Sequence, residues 1–358
     1  MNEGLNSNLK KPALGFTSDN IADVSPEVMD AIVRCNVGQA APYGNDVYTA
    51  RIEEKFSELF EREVEVFLVP TGTAANALSL SLLTPPWGNI YCHADSHINN
   101  DECGAPEFFT NGAKIITVDG PSAKIDSSHL RQKIGGDKAG NVHVTQPSCV
   151  SITQATEVGS IYTLSEIAAI GEVCKSSSLR LHMDGSRFAN ALVYLDCSPA
   201  EMTWKLGVDA LSFGATKNGV LAAEAIVLFD PSLAREMGFR RKRAGHLSSK
   251  MRYMSAQMDA YLSNDLWLRN ARQANTVAQH LVNGLFQLKD VEVLGAVQSN
   301  IVFCRLTPGL IKGLLDEGFE FYHGRWSSGV VRFVTSFMTS TEDVDYLLGT
   351  MKRLGGTS

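Results

Sequence analysis

Lys217 lies in a turn of small residues between Gly214 and Gly219, and this turn follows the apolar run 208–213. The apolar run predicts a strand, so the lysine is presented on a tight loop at a strand end. An amine in that position can form a Schiff base with a ligand carbonyl if burial or nearby positive charge lowers its pKa. A solvated loop lysine is the alternative, and Lys217 taken alone does not exclude it.

Two further strand ends carry groups that would suit the same ligand. Asp184 follows the apolar run 179–183, and a carboxylate there can keep a pyridine nitrogen protonated. Thr71, Gly72 and Thr73 open a predicted helix, where free backbone N–H groups and the helix dipole favour a phosphate. A turn aspartate and a simple N-cap are the alternatives. An amine, a carboxylate and a phosphate-binding helix end are together the parts that hold pyridoxal 5′-phosphate (PLP).

Four more polar residues could serve this site. Arg187, three residues after Asp184, could contact the phenolic oxygen of the cofactor or the substrate, or form a structural salt bridge. His97 could stack on the pyridine and handle protons, although a lone histidine is more often structural. Asp101 and His143 could together hold a substrate hydroxyl or a water.

Two arginine positions are candidates for binding anionic groups. Arg332 lies inside the apolar run 330–335, where a charge is costly unless it is paired. A substrate carboxylate or an internal glutamate could be its partner. Arg241 belongs to the basic run 240–243, which is usually a solvated helix face. One member of that run could reach a phosphate, including one bound to another subunit.

The middle of the chain alternates short apolar runs with helical patterns. Strands are predicted at 64–69, 90–93, 114–118, 149–153, 179–184, 208–213 and 224–229, and helices at 73–83 and 164–175. Such alternation indicates an α/β fold with a mostly parallel sheet covered on both faces. Ligands bind beyond the carboxyl ends of the strands in these sheets, so Thr71, Asp184 and Lys217 are expected to share one site.

The pattern changes in the last third of the chain. A long helical stretch runs from 248 to about 288, and strands at 300–306 and 330–335 then alternate with helices at 308–317 and 342–354. We therefore predict an N-terminal arm at residues 1–25, a large cofactor-binding domain at 26–289 and a small C-terminal α+β domain at 290–358. The arm is expected to lie across the site or a neighbouring subunit.

Length and composition are those of an ordinary globular enzyme. The 358 residues are 44% hydrophobic and 20% charged, which suffices for a large core. A net charge of −7 and a pI near 5.7 argue against nucleic acid as the main partner. No apolar run approaches the ~20 residues of a membrane span, and residues 1–11 lack the apolar core of a secretory signal. We therefore predict no membrane association and a cytoplasmic location.

The cysteines form an odd, scattered set of seven without a CxxC pair. Several lie inside apolar runs, such as Cys149 and Cys304. Reduced, buried thiols are therefore predicted in preference to disulfides, and no metal site is predicted.

Taken together, several motifs make the chain resemble a known family over nearly its whole length. The chain resembles the fold-type I PLP enzymes, specifically the low-specificity L-threonine aldolases of the Pseudomonas type, and is similar to bacterial phenylserine aldolases. The motifs that carry the resemblance are Pro42-Tyr43-Gly44, Thr71-Gly72-Thr73-Ala74-Ala75-Asn76, residues 101–109, Thr153-Gln154-Ala155-Thr156-Glu157, His182-Met183-Asp184-Gly185 and Thr216-Lys217-Asn218-Gly219. The family fold implies a mostly parallel seven-stranded sheet flanked by helices, plus a small C-terminal α+β domain.

The resemblance also implies roles around the cofactor and the substrate. The cofactor-binding residues it implies are Lys217, Asp184, Arg187, Gly72, Thr73, His97 and Arg241. The residues it implies near the substrate are Ser18 and Arg332 at the carboxylate, Asp101 and His143 near the β-hydroxyl, and Tyr43 in the pocket wall. It further implies a homotetramer with sites shared across a dimer interface.

The implied reaction is retro-aldol cleavage of L-threonine, L-allo-threonine or L-phenylserine to glycine and an aldehyde. One departure concerns the catalytic base, because some relatives carry a histidine in the segment that reads Ala155-Thr156-Glu157 here. His143 is then the expected substitute. Gly185-Ser186-Arg187 also replaces the commoner Gly-Ala-Arg. The alternatives are transamination, β-elimination, or a PLP-binding protein without catalysis.

Overall fold

A computed structural model describes residues 14–136 and 139–355 of the chain. These residues belong to two compact units. The large unit is Asp23–Arg272, and the small unit combines the residues up to Ala22 with those from Gln273 onward. The first thirteen residues of the predicted N-terminal arm, 1–13, lie outside the described part of the chain.

The elements are numbered here in chain order. The strands are β1 (Leu14–Gly15), β2 (Glu65–Val69), β3 (Gly88–Cys92), β4 (Lys114–Thr117), β5 (Gln146–Thr153), β6 (Arg180–Gly185), β7 (Ala210–Phe213), β8 (Glu224–Leu228), β9 (Glu292–Leu294), β10 (Ile301–Arg305), β11 (Phe319–Glu320), β12 (Tyr322–His323) and β13 (Val330–Val334). The helices are α1 (Pro26–Cys35), α2 (Val47–Leu59), α3 (Gly72–Leu83), α4 (His97–Asn100), α5 (Ala105–Phe109), α6 (Ser127–Gly136), α7 (Leu164–Ser176), α8 (Phe188–Leu195), α9 (Pro199–Met202), α10 (Ala234–Arg243), α11 (Arg252–Leu262), α12 (Leu266–Leu285), α13 (Pro308–Asp316) and α14 (Thr341–Gly355).

The large unit is built on a seven-stranded sheet with the order β2-β8-β7-β6-β5-β3-β4. The pairs from β7 to β4 are all parallel, and only β8 runs antiparallel to its two neighbours β2 and β7. Parallel neighbours need a crossover, whereas β8 follows β7 through the loop 214–223 without a crossover helix. The predicted α/β fold with a mostly parallel seven-stranded sheet flanked by helices is confirmed.

The sheet is buried on both faces, which explains the near-continuous apolar runs of its strands. Every residue of β3, β7 and β8 is buried. Beneath the sheet, Phe56 packs edge-to-face on Phe213 with ring centroids 5.1 Å apart, and Phe60 packs on Phe229 in the same way, also at 5.1 Å. This dense core gives the loops at the strand ends a rigid base.

The small unit contains a four-stranded antiparallel sheet with the order β12-β13-β10-β9 and a short parallel pair of β1 with β11. Phe16 is buried in this unit and packs edge-to-face on Phe333 at 6.0 Å. The second half of α12 belongs to the same core through Ala278, Leu281 and Leu285. The small unit therefore starts earlier than the predicted boundary at residue 290 and also includes residues 14–22, which were predicted as part of a separate arm.

One predicted helix is interrupted. The stretch predicted as helical from 248 to 288 contains α11 and α12, which are separated at Ser263–Asp265. Asn264 and Asp265 have φ values of 52° and 55°. Asn and Asp adopt this left-handed conformation more readily than most residues, so the break follows from their side chains.

All seven cysteines are free, and five of them, including Cys149 and Cys304, are buried as predicted. Among the helices of residues 14–136 and 139–355, none is long and apolar enough to cross a membrane.

Candidate active site

The carboxyl ends of the parallel strands bring the main candidate residues to one edge of the large sheet. Asp184 near the end of β6 is the Cα partner of Thr153 on β5 and of Ser212 on β7. Lys217 follows β7 in a short helical turn, Thr216–Asn218. Gly72 begins α3 directly after β2, which runs in the same direction. Thr71, Asp184 and Lys217 are thus presented at the same edge.

The turn that carries Lys217 is fixed by a buried glutamate at the start of β8. The backbone N–H of Ala215 donates to Oε2 of Glu224 at 2.6 Å. Burial raises the pKa of Glu224, and hydrogen bonds from Thr216 and the charge of Lys217 oppose that rise. Glu224 therefore supplies a fixed acceptor for the loop close to the lysine.

The far side of the same turn is held by the helices below it. The side-chain amide of Asn218 donates to the hydroxyl of Tyr261 at 2.7 Å and to the carbonyl of Trp267 at 2.8 Å. Gly219 has a φ of 109°, and a Cβ added to it would lie 2.2 Å from Oγ of Ser25. Only glycine fits that close approach, so the loop has one well-defined path.

Asp184 is almost fully buried, with 3% of its surface exposed. Its Oδ1 accepts from the backbone N–H of Ser186 at 3.0 Å, and its Oδ2 accepts from the amide of Asn76 at 2.8 Å. Two donors fix the carboxylate at the strand end. A protonated ring nitrogen would find a preoriented anionic acceptor there.

The N-terminus of α3 has the features of a phosphate-binding helix end. Oγ1 of Thr71 caps the helix by accepting from the N–H of Ala74 at 3.1 Å. The N–H groups of Gly72 and Thr73 in the first turn have no acceptor in a preceding turn of the helix. A Cβ added to Gly72 would meet no atom within 4 Å, so there is open space in front of the helix. With Lys217 and Asp184, these residues fit PLP.

His97 begins α4 and sits in a cluster of carboxylates. Its Nδ1 lies 2.8 Å from Oε1 of Glu102, and its backbone N–H donates to Oε1 of Glu157 at 2.7 Å. The hydrogen bond to Glu102 and the charge of Asp184 raise the pKa of His97, while burial and Lys217 lower it, and the net direction is upward. Burial raises the pKa of Glu157 to about 7. The ring of His97 is therefore paired with Glu102, and its backbone is anchored by Glu157.

Two of the predicted substrate residues are not brought together within one chain. Asp101 is exposed and ends α4, with its N–H donating to the carbonyl of His97 at 2.8 Å. His143 is also exposed but lies three residues before β5, and its N–H donates to Oδ1 of Asn141 at 3.0 Å. Strand β5 spans about 25 Å, so His143 and the site edge are at opposite ends of it. The predicted joint action of Asp101 and His143 therefore cannot occur inside one subunit.

Tyr43 and Arg241 line one cavity beside β2. This cavity of about 180 Å³ also contacts Glu53 and Glu65 but neither Lys217 nor Asp184. Arg241 donates from Nη1 to the carbonyl of Leu68 at 3.4 Å and stacks on a phenylalanine ring. Burial lowers the pKa of Arg241. Arg241 is thus held against the edge strand β2 by contacts with two of its residues.

The remaining predicted residues have defined local environments. Arg187 is buried and precedes α8. In the small unit, Arg332 donates from Nη2 to the carbonyl of Thr17 at 3.2 Å, and its guanidinium lies 4.7 Å from the ring of Tyr322. Ser18 follows Thr17 and accepts from the N–H of Asn20 at 3.2 Å. The structure therefore brings Ser18 and Arg332 together within the small unit.

Four polar residues near the site were not singled out from the sequence. They are Asn76, Glu102, Glu157 and Glu224, and all are buried or nearly so. Asn76 is a buried amide on the mostly apolar helix α3, and Glu224 starts an apolar strand. A polar residue inside an apolar pattern was the signal that could have identified these two.

Known proteins match this chain over most of its length. A family model described as beta-eliminating lyase matches residues 15–307. A low specificity L-threonine aldolase from a Pseudomonas strain is 42% identical over 90% of this chain and 93% of its own length. A Pseudomonas aeruginosa protein of the same name is 41% identical over 92% and 94%.

A solved structure of Leishmania major threonine aldolase superposes with a TM-score of 0.89 at 28% identity, covering 95% of this chain and 99% of that chain. These matches cover 90% or more of this chain, so they are not confined to the motifs around the lysine. The chain therefore belongs to the beta-eliminating lyase family, and within it to the low-specificity L-threonine aldolases, which are PLP-dependent lyases.

Proposed function

We propose that this protein cleaves L-threonine and related L-β-hydroxy-α-amino acids to glycine and an aldehyde, in a reversible reaction. The names of the relatives support this activity. The observation that carries it is the edge of the large sheet, where Lys217, Asp184 and the N-terminus of α3 are presented beside His97. L-allo-threonine and L-phenylserine belong to the proposed substrate range.

The proposed cofactor contacts follow the geometry of the large unit. Lys217 would bind the cofactor covalently through its amine, Asp184 would accept from the protonated ring nitrogen, and the N–H groups of Gly72 and Thr73 would bind the phosphate. Arg187 is proposed to contact the cofactor at its buried position before α8. Bound PLP supplies an electron sink for the bonds to the substrate Cα.

Ser18 and Arg332 are proposed to bind the substrate carboxylate. Arg332 offers a planar guanidinium that suits a carboxylate, and Ser18 offers a hydroxyl. Holding the carboxylate fixes the rotation about the substrate amine bond, and this rotation decides which bond at Cα is broken. The Cα–Cβ bond must be selected for cleavage to release an aldehyde.

The proton of the β-hydroxyl needs an acceptor, and three residues are proposed around it. His97 is on the site edge and Asp101 follows its helix, whereas His143 is at the other end of β5. A role for His143 therefore requires a second copy of the chain. This is consistent with the proposed homotetramer with sites shared across a dimer interface, in which Arg241 is proposed to reach a phosphate on another subunit and Tyr43 to shape the substrate pocket.

Other PLP reactions remain the second candidate, because the matched family model carries the name of an eliminating lyase. β-Elimination of L-threonine would give 2-oxobutyrate and ammonia, and transamination would give a keto acid without an aldehyde. A product analysis distinguishes all three reactions. A cytoplasmic location also remains a prediction, which fractionation of the source cells would test.

A further inference from the structure

A buried chain of hydrogen bonds connects His97 with Asp184. The side chain of Glu102 has no exposed surface, and its Oε1 lies 2.8 Å from Nδ1 of His97. The same oxygen accepts from the amide of Asn76 at 2.8 Å. That amide also donates to Oδ2 of Asp184 at 2.8 Å. One amide nitrogen thus bridges two buried carboxylates, and one of these carboxylates contacts the histidine.

The contact with Glu102 determines which nitrogen of His97 is available for chemistry. A carboxylate oxygen can only accept, so Nδ1 carries a hydrogen and donates it to Glu102. The other nitrogen, Nε2, is then the one that can gain or lose a proton. About two fifths of the His97 side chain is exposed, at 39%, so the ring is accessible although its partner is not.

We propose that Glu102 is a positioning residue for the cleavage reaction. It keeps Nδ1 of His97 protonated and its ring oriented, so that Nε2 takes up the β-hydroxyl proton of the substrate. Asn76 completes this arrangement because its amide fixes Glu102 and Asp184 relative to each other. The proposal rests on the proposed function, because it assigns a proton-transfer role in that reaction to residues of the same site.

The charges around the pair support this role. His97 experiences Glu102 and Asp184, which raise its pKa, and Lys217, which lowers it. The carboxylate of Glu157 contacts His97 at the backbone N–H. Burial raises the pKa of Glu102, while hydrogen bonds from His97 and Asn76 lower it. The net pKa of Glu102 is raised, and the hydrogen bonds from His97 and Asn76 are the contacts that oppose this rise.

Replacing Glu102 with glutamine tests the effect of its charge while its size is kept. Glu102→Gln preserves size and can still accept from Nδ1, but it removes the negative charge that raises the pKa of His97. The pKa of His97 should then fall. If cleavage requires unprotonated Nε2, the acidic limb of the pH profile of kcat/KM should move to lower pH with it. The plateau rate should fall about tenfold to a hundredfold, the loss expected for a hydrogen bond to a charged group.

The experiment uses the cofactor-loaded enzyme with ¹³C-labelled histidine. The signal of His97 is identified by its loss in His97→Asn, and it is titrated by NMR in the wild type, Glu102→Gln and Glu157→Gln. Glu157→Gln is the matched control, because that carboxylate is also buried but contacts the backbone of His97 instead of its ring. The control should leave the titration of His97 close to that of the wild type.

Glu102→Asp is a second variant that keeps the charge at a shorter reach. In Glu102→Asp the pKa of His97 should stay higher than in Glu102→Gln. If both variants are less stable than the wild type, this difference shows the effect of the charge apart from that of the packing. The proposal is overturned if His97 titrates in Glu102→Gln as in the wild type, or if the acidic limb stays in place. Absence of glycine formation by the wild type would instead refute the proposed function, and the titration would still test the pair.

Discussion

At the scale of single residues, Lys217 is distinguished by how it is held. Glu224 fixes one side of the turn and Asn218 fixes the other, so the backbone that carries the lysine side chain is held in place. Borohydride treatment of the cofactor-loaded protein should therefore attach the cofactor to one peptide that contains Lys217, as read by mass spectrometry. The exposed Lys205, which pairs with Glu61, is the internal control. A label on any lysine other than Lys217 would refute the assignment.

Arg332 is the second residue whose role can be tested alone. Arg332→Ala should lower kcat/KM for L-threonine by about tenfold to a hundredfold, because charged hydrogen bonds to the carboxylate are lost. The visible spectrum of the bound cofactor should not change. Arg305→Ala is the matched control, since that arginine lies on the neighbouring strand and pairs with Glu292. Normal catalytic efficiency in Arg332→Ala would exclude the carboxylate role.

At the scale of elements, the β7–β8 loop depends on Gly219. Gly219→Ala would bring a Cβ within 2.2 Å of Oγ of Ser25 at a φ of 109°. A left-handed alanine costs about 1–2 kcal/mol, and the clash adds to this, so the melting temperature and the retention of the cofactor should both fall. Gly238→Ala in α10 is the control, because its Cβ would meet nothing within 4 Å. A melting temperature equal to the wild type's would show that the loop is not constrained as described.

Pattern and turn chemistry predicted most elements of the large unit. The strand ends that present Thr71, Asp184 and Lys217 could be predicted from the sequence. The spacing of apolar residues, the length of each apolar run and the small residues of the turns are all local signals. The break at Asn264 depends on two left-handed residues, which the helical pattern conceals. The boundary between the units falls within α12, where no composition change marks it.

The contacts between distant residues were not predictable from one sequence. Asn76 and Asp184 are 108 positions apart, and nothing in either segment indicates that they are bonded. For the same reason Asp101 was singled out, whereas its buried neighbour Glu102 contacts His97. Side-chain networks depend on the packing of several elements, which local patterns do not encode.

At the scale of the whole molecule, the position of His143 requires a second subunit if it acts in catalysis. If His143 of a second subunit, and not Nε2 of His97, accepts the β-hydroxyl proton, His143→Ala should slow cleavage by about 10²-fold, the scale of a lost acid–base group, and disturb exchange of the glycine α-proton much less. Mixed oligomers that contain both His143→Ala and Lys217→Ala subunits test whether each site uses residues of two subunits. A random mixture should regain roughly a quarter of wild-type activity, because half of the dimers are mixed and one of their two sites is intact.

A hybrid mixture no more active than its better parent would show that His143 does not act across an interface. Wild-type cleavage rates in His143→Ala would remove it from the mechanism altogether. His97, with Glu102 beside it, would then be the remaining histidine at the site edge.

The most direct test of the whole account is the product balance with L-threonine. The purified, PLP-loaded protein should form glycine and acetaldehyde in equal amounts, and Lys217→Ala should form neither above background. L-allo-threonine and L-phenylserine in parallel would define the substrate range, with benzaldehyde as the product of the latter. Formation of 2-oxobutyrate and ammonia without glycine, or turnover that survives the loss of Lys217, would contradict the proposed cleavage.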